Sequence, residues 1–200
     1  MNNTRPILIL ALDDETSLCE LTKEFLENSE YINVDTAGSV AEARMAIGKR
    51  RYDAIVSDYQ MPGEDGIQFL KSLRSSGDTT PFILFTGKGR EDVVIEALNN
   101  GADAYLQKGG ELAPLYAELE HHIGAIVRRH RAEAALLDSE SEFRTLFDDN
   151  PDGITLAGID GKILDCNQAA ARMMMVRKEE IIGGTVSENG VLWLGRHRSS

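Results

Sequence analysis

The chain has 200 residues, a formal net charge of −12 at pH 7 and a sequence pI of about 4.8. This acidic excess, without any run of Lys and Arg, excludes binding to nucleic acid through a general phosphate-neutralising surface. Two hundred residues are enough for one good core and part of a second.

The sequence also lacks the features of a secreted or membrane-spanning protein. No apolar stretch approaches the roughly 18 residues of a membrane span, and the first ten residues lack the basic region of a signal peptide. Cys19 and Cys166 lie far apart without CxxC spacing, so we expect reduced thiols. These features predict a cytoplasmic protein that does not insert into a membrane.

Five predicted strands alternate with five predicted helices along the first 126 residues. The predicted strands are 7–12, 32–36, 53–57, 82–86 and 104–107. The predicted helices are 17–29, 40–50, 66–75, a fourth from about 91 to about 101, and a fifth from about 112. This alternation predicts an α/β fold, a parallel sheet with helices on both faces and right-handed crossovers.

Local signals place some helix ends and helix faces. Thr16 and Ser39 are predicted N-caps of the first and second helices, because short hydroxyl side chains satisfy free amides there. The fifth helix carries apolar residues at helical spacing, which are predicted to face inward: Leu112, Leu115, Leu119, Ile123 and Ile126.

Residues 127–150 are charged and favour a helix that links the first domain to the C-terminal segment. The spacing of Ile126, His130, Ala134 and Leu137 indicates a weak heptad seam. The seam is short and polar, so two interpretations stay open. The linker helix pairs with a second copy in a homodimer, or it is a single solvated helix.

Four short segments place chemically matched side chains after four predicted strands. They supply the acidic pair Asp13 and Asp14, then Asp58, Thr86 and Lys108. The carboxyl ends of neighbouring parallel strands meet at one sheet edge, where ligands bind. Three carboxylates, a hydroxyl and an ammonium at that edge predict a site for a divalent cation and a phosphoryl group.

These segments resemble the receiver domain of two-component response regulators, through LDDE at 12–15, SDYQMPGEDG at 57–66, TGKGRED at 86–92 and AYLQKGG at 104–110. The resemblance implies a flavodoxin-like (βα)5 doubly wound sheet of strand order 2-1-3-4-5. It also implies a sensor histidine kinase as partner, and a homodimer through the face of the fourth helix, fifth strand and fifth helix.

The resemblance assigns roles to the site residues. Asp58 is the phosphoacceptor, and Mg²⁺ is held by Asp13, Asp14, Asp58 and the backbone carbonyl of Gln60. Lys108 and Thr86 contact the phosphoryl oxygens, while Thr86 and Tyr105 form the conformational switch. Positions 60 and 88, occupied by Gln60 and Lys88, are expected to influence the lifetime of the phosphorylated state.

Each of these residues also has a structural interpretation. Asp13 and Asp14 alone could cap a helix, Lys108 could be a solvated surface residue, and Tyr105 is as consistent with plain packing as with a switch. The family commonly has Pro after the lysine, whereas Gly109 occupies that position here, so a cis Lys108–Gly109 bond is left open.

The protein is not expected to be a conventional enzyme, although Asp58 would catalyse its own modification. A phosphorelay shuttle without its own output is the alternative function. An aspartyl-nucleophile phosphatase is disfavoured, because it requires an acidic residue where Gln60 stands. The TGKG segment at 86–89 lacks the GxxxxGK[ST] pattern of a nucleotide-binding loop.

Residues 139–184 resemble the start of a PAS sensor domain, through SESEFRTLFDDNPDGITLAGIDGKILDCNQAAARMM. A turn at Pro151–Gly153 precedes two short strands and a helical run, but the later PAS strands are not recognisable before Ser200. We expect no cofactor in this segment. The predicted organisation is a receiver domain over 1–126, a linker helix over 127–150 and an incomplete α+β PAS-like segment over 151–200.

Overall fold

The computed structural model describes residues 5–87, 91–186 and 192–193. The chain divides into two units, Met1–Ala132 and Glu133–Ser200. Lys88, which is predicted to influence the phosphorylated lifetime, lies outside the described residues. Over the described ranges, no helix combines the length and the apolarity needed to cross a membrane.

The first unit is built on a five-stranded parallel sheet. Its strands are β1 (Ile7–Leu12), β2 (Ile32–Ala37), β3 (Ala54–Ser57), β4 (Phe82–Thr86) and β5 (Ala104–Gln107). Their order is β2-β1-β3-β4-β5, and every neighbouring pair is parallel. The flavodoxin-like topology predicted from the sequence is therefore confirmed. The reversal of strand order beside β1 places the ligand-binding crevice between β1 and β3.

Five helices alternate with the five strands. They are α1 (Thr16–Glu27), α2 (Val40–Lys49), α3 (Gly66–Ser75), α4 (Glu91–Asn99) and α5 (Leu112–Asp148). Successive residues of a strand point to opposite faces, so β4 sends Ile83 and Phe85 to the core beside α1 and α5. Phe82 and Leu84 enter the second core, beside α2, α3 and α4. Both faces of the sheet are covered, which explains the nearly continuous apolar sequence of β1, β3 and β4.

The helix N-termini confirm one predicted cap and correct another. The Ser39 hydroxyl accepts the Glu42 amide, as predicted. Thr16 is the first helical residue and not the cap; Glu15 holds the cap position of α1 without a side-chain bond. A capping box at α3 was not predicted, although Asp65 with Gln68 three residues later is a variant of its signature.

The fifth helix differs from its prediction in two respects. Leu112, predicted to face inward, is 47% exposed because it begins the helix at the rim of the sheet. The seam predicted from Ile126, His130, Ala134 and Leu137 cannot form as proposed. Ile126 is 7% exposed and packs in the core of the first unit, where a partner helix has no access to it.

The second unit contains the end of α5 and several short elements. These are β6 (Thr155–Ala157), β7 (Ile163–Cys166), α6 (Gln168–Met174), α7 (Lys178–Ile181), β8 (Thr185–Val186) and β9 (Leu192–Trp193). The pairs β6–β7 and β8–β9 are antiparallel. The β8–β9 pair was not predicted, because two-residue strands are too short to show a periodic pattern. Both cysteines of the chain are free and buried, as expected.

Candidate functional site

Three of the predicted side chains meet at the carboxyl edge of the sheet. Asp13 comes directly after β1, Asp58 after β3 and Lys108 after β5. The ammonium of Lys108 donates to Asp13 Oδ2 at 2.5 Å and to Asp58 Oδ1 at 2.9 Å. Residues separated by up to 95 positions in the chain are thus brought together by the parallel register of the strands.

Backbone hydrogen bonds fix the positions of Asp58 and Lys108. The Asp58 amide donates to the Leu12 carbonyl at 2.8 Å, and the Lys108 amide donates to the Thr86 carbonyl at 2.8 Å. The sheet ladder therefore extends by one residue beyond the paired strands. The side chains of Asp58 and Lys108 are thus held on rigid backbone.

The electrostatics of the site are dominated by Lys108. Burial by itself lowers the pKa of its ammonium, but the hydrogen bonds and charges of Asp13 and Asp58 outweigh burial and hold that pKa above the ordinary value. Lys108 is therefore charged throughout the physiological range. Its charge offsets two carboxylates that would otherwise repel one another.

Asp14 and Gln60 lie beside this cluster. Asp14 is exposed and lines an open groove together with Tyr59, Gln60 and Asp65. The Gln60 amide donates to Asp58 Oδ2 at 2.6 Å, which fixes the second oxygen of this carboxylate. The edge of the sheet thus presents carboxylate oxygens next to the backbone amide of Gln60.

The donor set matches the chemistry of a hard divalent cation. Mg²⁺ prefers carboxylate, carbonyl and water oxygens, and those are the groups that Asp13, Asp14, Asp58 and Gln60 offer. In the part of the chain that the structure describes, no three His, Cys, Asp or Glu side chains converge in metal-ligand geometry. The Lys108 ammonium lies between Asp13 and Asp58, in contact with both carboxylates.

Thr86 and Tyr105 occupy adjacent strands near the site. Thr86 ends β4 with its side chain buried, and its carbonyl accepts the Lys108 amide. Tyr105 pairs with Leu84 across β4 and β5, and its ring packs against the core beside α3 and α4. The Tyr105 hydroxyl is buried and has no hydrogen-bond partner among the described residues. The peptide between Lys108 and Gly109 is trans.

The base of the site contains residues that the sequence analysis missed. The Lys108 Nζ lies 5.5 Å from the centre of the Phe85 ring, a cation–π distance. The Cys19 thiol donates to the Asp13 carbonyl at 3.3 Å, and burial raises the pKa of this thiol. The position of Phe85 directly before Thr86 is a usable signal; nothing in the sequence marks Cys19.

We expect Lys108→Ala to lower the free energy of unfolding by about 2–3 kcal/mol in metal-free buffer, since removing one partner leaves buried charges unpaired. Lys71→Ala is the matched control, because the Lys71–Glu96 pair is exposed and such pairs contribute less than about 1 kcal/mol. Urea denaturation measures both variants. Equal losses in the two would contradict the assigned role of the Lys108 charge.

We expect Tyr105→Phe to raise the free energy of unfolding by about 1 kcal/mol, since it removes a buried hydroxyl that lacks a partner among the described residues. Tyr52→Phe should have the opposite sign, because the Tyr52 hydroxyl donates to Asp35 Oδ2 at 2.6 Å. The midpoints of denaturant unfolding compare the two. A loss of stability in Tyr105→Phe would show that the hydroxyl has a partner in solution.

Family comparisons agree with this geometry. Residues 9–120 match the response regulator receiver domain, and residues 141–194 match the PAS domain. The chain is 33% identical over 127 residues to the response regulator MprA of Mycobacterium leprae (strain TN), covering 64% of this chain and 54% of that protein. The MprA of Mycobacterium avium (strain 104) is 33% identical over 147 residues, covering 74% of this chain and 61% of that protein.

Solved structures show the same fold. The Francisella response regulator 1452 receiver domain is 31% identical with a TM-score of 0.56, and the match covers 62% of this chain and 98% of that one. A two-component response regulator from Clostridium difficile is 32% identical with a TM-score of 0.54, with the same two coverages. The chain spans just over half the length of the M. leprae protein and three fifths of the M. avium one.

The matched receiver region contains most of β1, all of β2 to β5, and Asp13, Asp58 and Lys108, and it covers more than half of the chain. The second match begins on α5 and extends past β9. The chain belongs to the response regulator receiver family and carries a PAS-family segment after its receiver domain.

Proposed function

We propose that this protein accepts a phosphoryl group from a sensor histidine kinase onto Asp58 and changes conformation in response. The observation that supports this most strongly is the double contact of Lys108 with Asp13 and Asp58. It brings a nucleophilic carboxylate, a second carboxylate and a fixed positive charge to one sheet edge.

The proposed reaction uses the arrangement directly. An oxygen of Asp58 attacks phosphorus, the bond from phosphorus to the donor histidine nitrogen breaks, and an acyl phosphate forms. The incoming phosphoryl oxygens and the Asp58 carboxylate are both negative, so their approach requires charge compensation. Asp13, Asp14, Asp58 and the Gln60 carbonyl would hold a Mg²⁺ ion, which would supply part of that compensation when bound.

Lys108 supplies the remaining charge compensation. Its ammonium contacts Asp58 before the reaction, and its three donors allow it to follow the charge onto a phosphoryl oxygen. The Gln60 amide holds the other Asp58 oxygen, so the reacting carboxylate is oriented. Thr86 is proposed to donate its hydroxyl to a second phosphoryl oxygen.

The proposed response starts at Thr86 and ends at the surface. Movement of the Thr86 hydroxyl toward the phosphoryl group gives the Tyr105 ring a different packing environment. Among the described residues of the first unit, the exposed large apolar side chains on the two neighbouring helices are Ile95 and Leu98 of α4 and Leu112 of α5. A change on this face alters binding to a partner, and a second copy of the chain is one such partner.

Incubation of the full chain with acetyl phosphate and Mg²⁺, with intact mass measured afterwards, tests the proposal. Wild type should gain one phosphoryl group, and Asp58→Ala should gain none. Asp138→Ala, which removes an exposed carboxylate of α5, should be labelled like wild type. Labelling of Asp58→Ala would refute the assignment. Transfer of label onto a histidine protein would favour the phosphorelay shuttle, and repeated turnover of a phosphate ester would favour a phosphatase.

A further inference from the structure

The part of α5 that belongs to the second unit exposes large apolar side chains. Leu136 is 69% exposed, Leu137 66%, Phe143 45% and Leu146 67%. Single exposed apolar residues are ordinary on a protein surface, whereas several on one helix indicate a contact surface.

Three of these four residues share one helix face. Leu136, Ser139, Phe143 and Leu146 succeed one another at separations of three, four and three residues, which is the spacing of the a and d positions of a heptad. We call Leu136, Ser139, Phe143 and Leu146 the α5 seam. Leu137 lies about 100° around the helix from Leu136 and is outside the seam.

The α5 seam replaces the heptad seam predicted from the sequence. That seam depended on Ile126, which packs in the core of the first unit. The α5 seam begins after that core and stops near Phe147, which is buried in its own unit. A partner helix therefore has about one and a half heptads of accessible surface, from Leu136 to Leu146.

We propose that the α5 seam pairs with the same seam of a second copy of this chain, with the two helices parallel. This inference specifies the homodimer partner of the proposed function, and its surface is independent of phosphotransfer to Asp58. An apolar seam flanked by charged residues matches the pattern by which two helices pair in a coiled coil.

Charge complementarity one heptad before the seam, where Arg129 at the a position is paired with Asp103 of its own chain, favours a second copy in parallel orientation. With Leu136 and Phe143 at a positions, Arg128 lies at a g position and Glu133 at the next e position. In a parallel pair, each g residue faces the next e residue of the other helix, so Arg128 of each copy meets Glu133 of the other. Both side chains are exposed, and no ion pair occupies either of them within the described residues.

The antiparallel alternative is disfavoured by the charges of the seam's flanks. If two α5 seams pair in antiparallel orientation, the two-fold axis passes near Ser141. Glu140 then faces Glu140 of the other copy, and Glu142 faces Glu142, so like charges meet in the middle of the contact. In the parallel pair, Glu140 faces Ala135 instead, and these acidic side chains do not oppose one another.

The test compares two adjacent leucines that are almost equally exposed. Sedimentation velocity of the full chain, at concentrations up to about 0.5 mM, should show a concentration-dependent dimer. Leu136→Gln should weaken the dimer by about tenfold or more, while Leu137→Gln should change its dissociation constant by less than about threefold. A monomer at every concentration, or equal effects of the two substitutions, would overturn the proposal.

Orientation is tested separately. Arg128→Glu and Glu133→Arg should each weaken the dimer, and the double variant should recover it, since each pair is then restored with reversed sign. Ser139→Cys should form a disulfide between copies on mild oxidation, whereas Ser141→Cys on the opposite helix face should not. Failure of the double variant to recover, or cross-linking through Ser141→Cys alone, would overturn the parallel pairing.

Asp58 labelling by acetyl phosphate separates this proposal from the proposed function. Leu136→Gln should be labelled to the same extent as wild type, because the α5 seam is not part of the receiver site. A chain that is labelled but monomeric refutes only the seam. A chain that dimerises through the seam without labelling refutes only the phosphoacceptor function.

Discussion

Gly66→Ala is expected to lower the free energy of unfolding by about 3 kcal/mol or more, at the upper end of what overpacking costs. A Cβ at position 66 would lie 2.2 Å from the carbonyl oxygen of Asp58 and 3.1 Å from both Leu84 Cδ1 and Ser57 Oγ. The nearest atom belongs to the backbone, so it cannot yield by a change of rotamer. Relief requires a backbone shift, either of the segment that carries Asp58 or of the start of α3.

The same backbone shift should also disturb the groups that hold the Asp58 carboxylate. The Gly66 amide donates to the Tyr59 carbonyl at 2.9 Å, and this closes the loop after Asp58. Moving that loop displaces the Gln60 amide from the Asp58 carboxylate. We therefore expect Gly66→Ala to slow labelling by acetyl phosphate as well as to destabilise the fold.

Gly48→Ala is the matched control. Gly48 lies in α2, and a Cβ there meets nothing within 4 Å. Ala in an open helical position is more favourable than Gly by about 0.5–1 kcal/mol, so this variant should be slightly more stable and labelled normally. Denaturant unfolding and the rate of mass increase measure both effects. A Gly66→Ala protein with wild-type stability would show that the close approach to Asp58 is absent in solution.

The position of Gly66 marks the boundary of what the sequence could predict. The loop and the helix start were predictable from Pro62, Gly63 and Gly66, because these residues punctuate an apolar pattern. The clash of a Cβ at position 66 with the Asp58 carbonyl was not predictable, since it depends on the distance between backbone atoms of different segments. Local signals carry no information about such distances.

The same distinction separates the correct predictions from the wrong ones. The parallel sheet and the meeting of Asp13, Asp58 and Lys108 were predictable from the residues, because parallel strands bring their carboxyl ends to one edge. The strand order came from the family resemblance. The exposure of Leu112 and the failure of the seam through Ile126 were not predictable. Helical spacing identifies which residues share one face of a helix. How many of them are buried depends on where the helix contacts the sheet.

Neither the Lys108 contacts nor the lack of a hydrogen-bond partner for the Tyr105 hydroxyl among the described residues could be derived from spacing. Both depend on side-chain conformations in a packed interior. The family resemblance supplied roles for these residues, and the geometry adds which bonds they form before any phosphoryl group is present. That is why Lys108→Ala and Tyr105→Phe test stability separately from phosphorylation.

Asn167→Ala is expected to lower the stability of the second unit by about 3 kcal/mol or more, through the loss of an N-cap and the exposure of several buried groups without partners. Asn167 is fully buried. Its Oδ1 accepts the amides of Ile154 and Ala170, each at 2.9 Å. Its Nδ2 donates to the carbonyls of Phe147 at 3.0 Å and Asp152 at 2.8 Å.

One side chain therefore joins the end of α5, the turn before β6 and the start of α6. Among the described residues of this unit the apolar cluster is small, with five buried members: Ile163, Cys166, Ala170, Ala171 and Ile181. A core of this size offers little reserve, so the polar network around Asn167 should decide whether the unit stays folded. Hydrogen exchange should report the loss in residues 150–186 and leave β1 to β5 protected.

Asn100→Ala is the control, because the Asn100 side chain makes an exposed bond to the Glu96 carbonyl and its loss should cost less than about 1 kcal/mol. Asp58 labelling should be normal in Asn167→Ala, since the bonds of Asn167 lie within the second unit. Full protection of residues 150–186 in that variant would mean that apolar packing alone holds the second unit. Loss of protection in both units would mean that the two unfold together, and the site at Asp58 would then depend on the PAS-family segment.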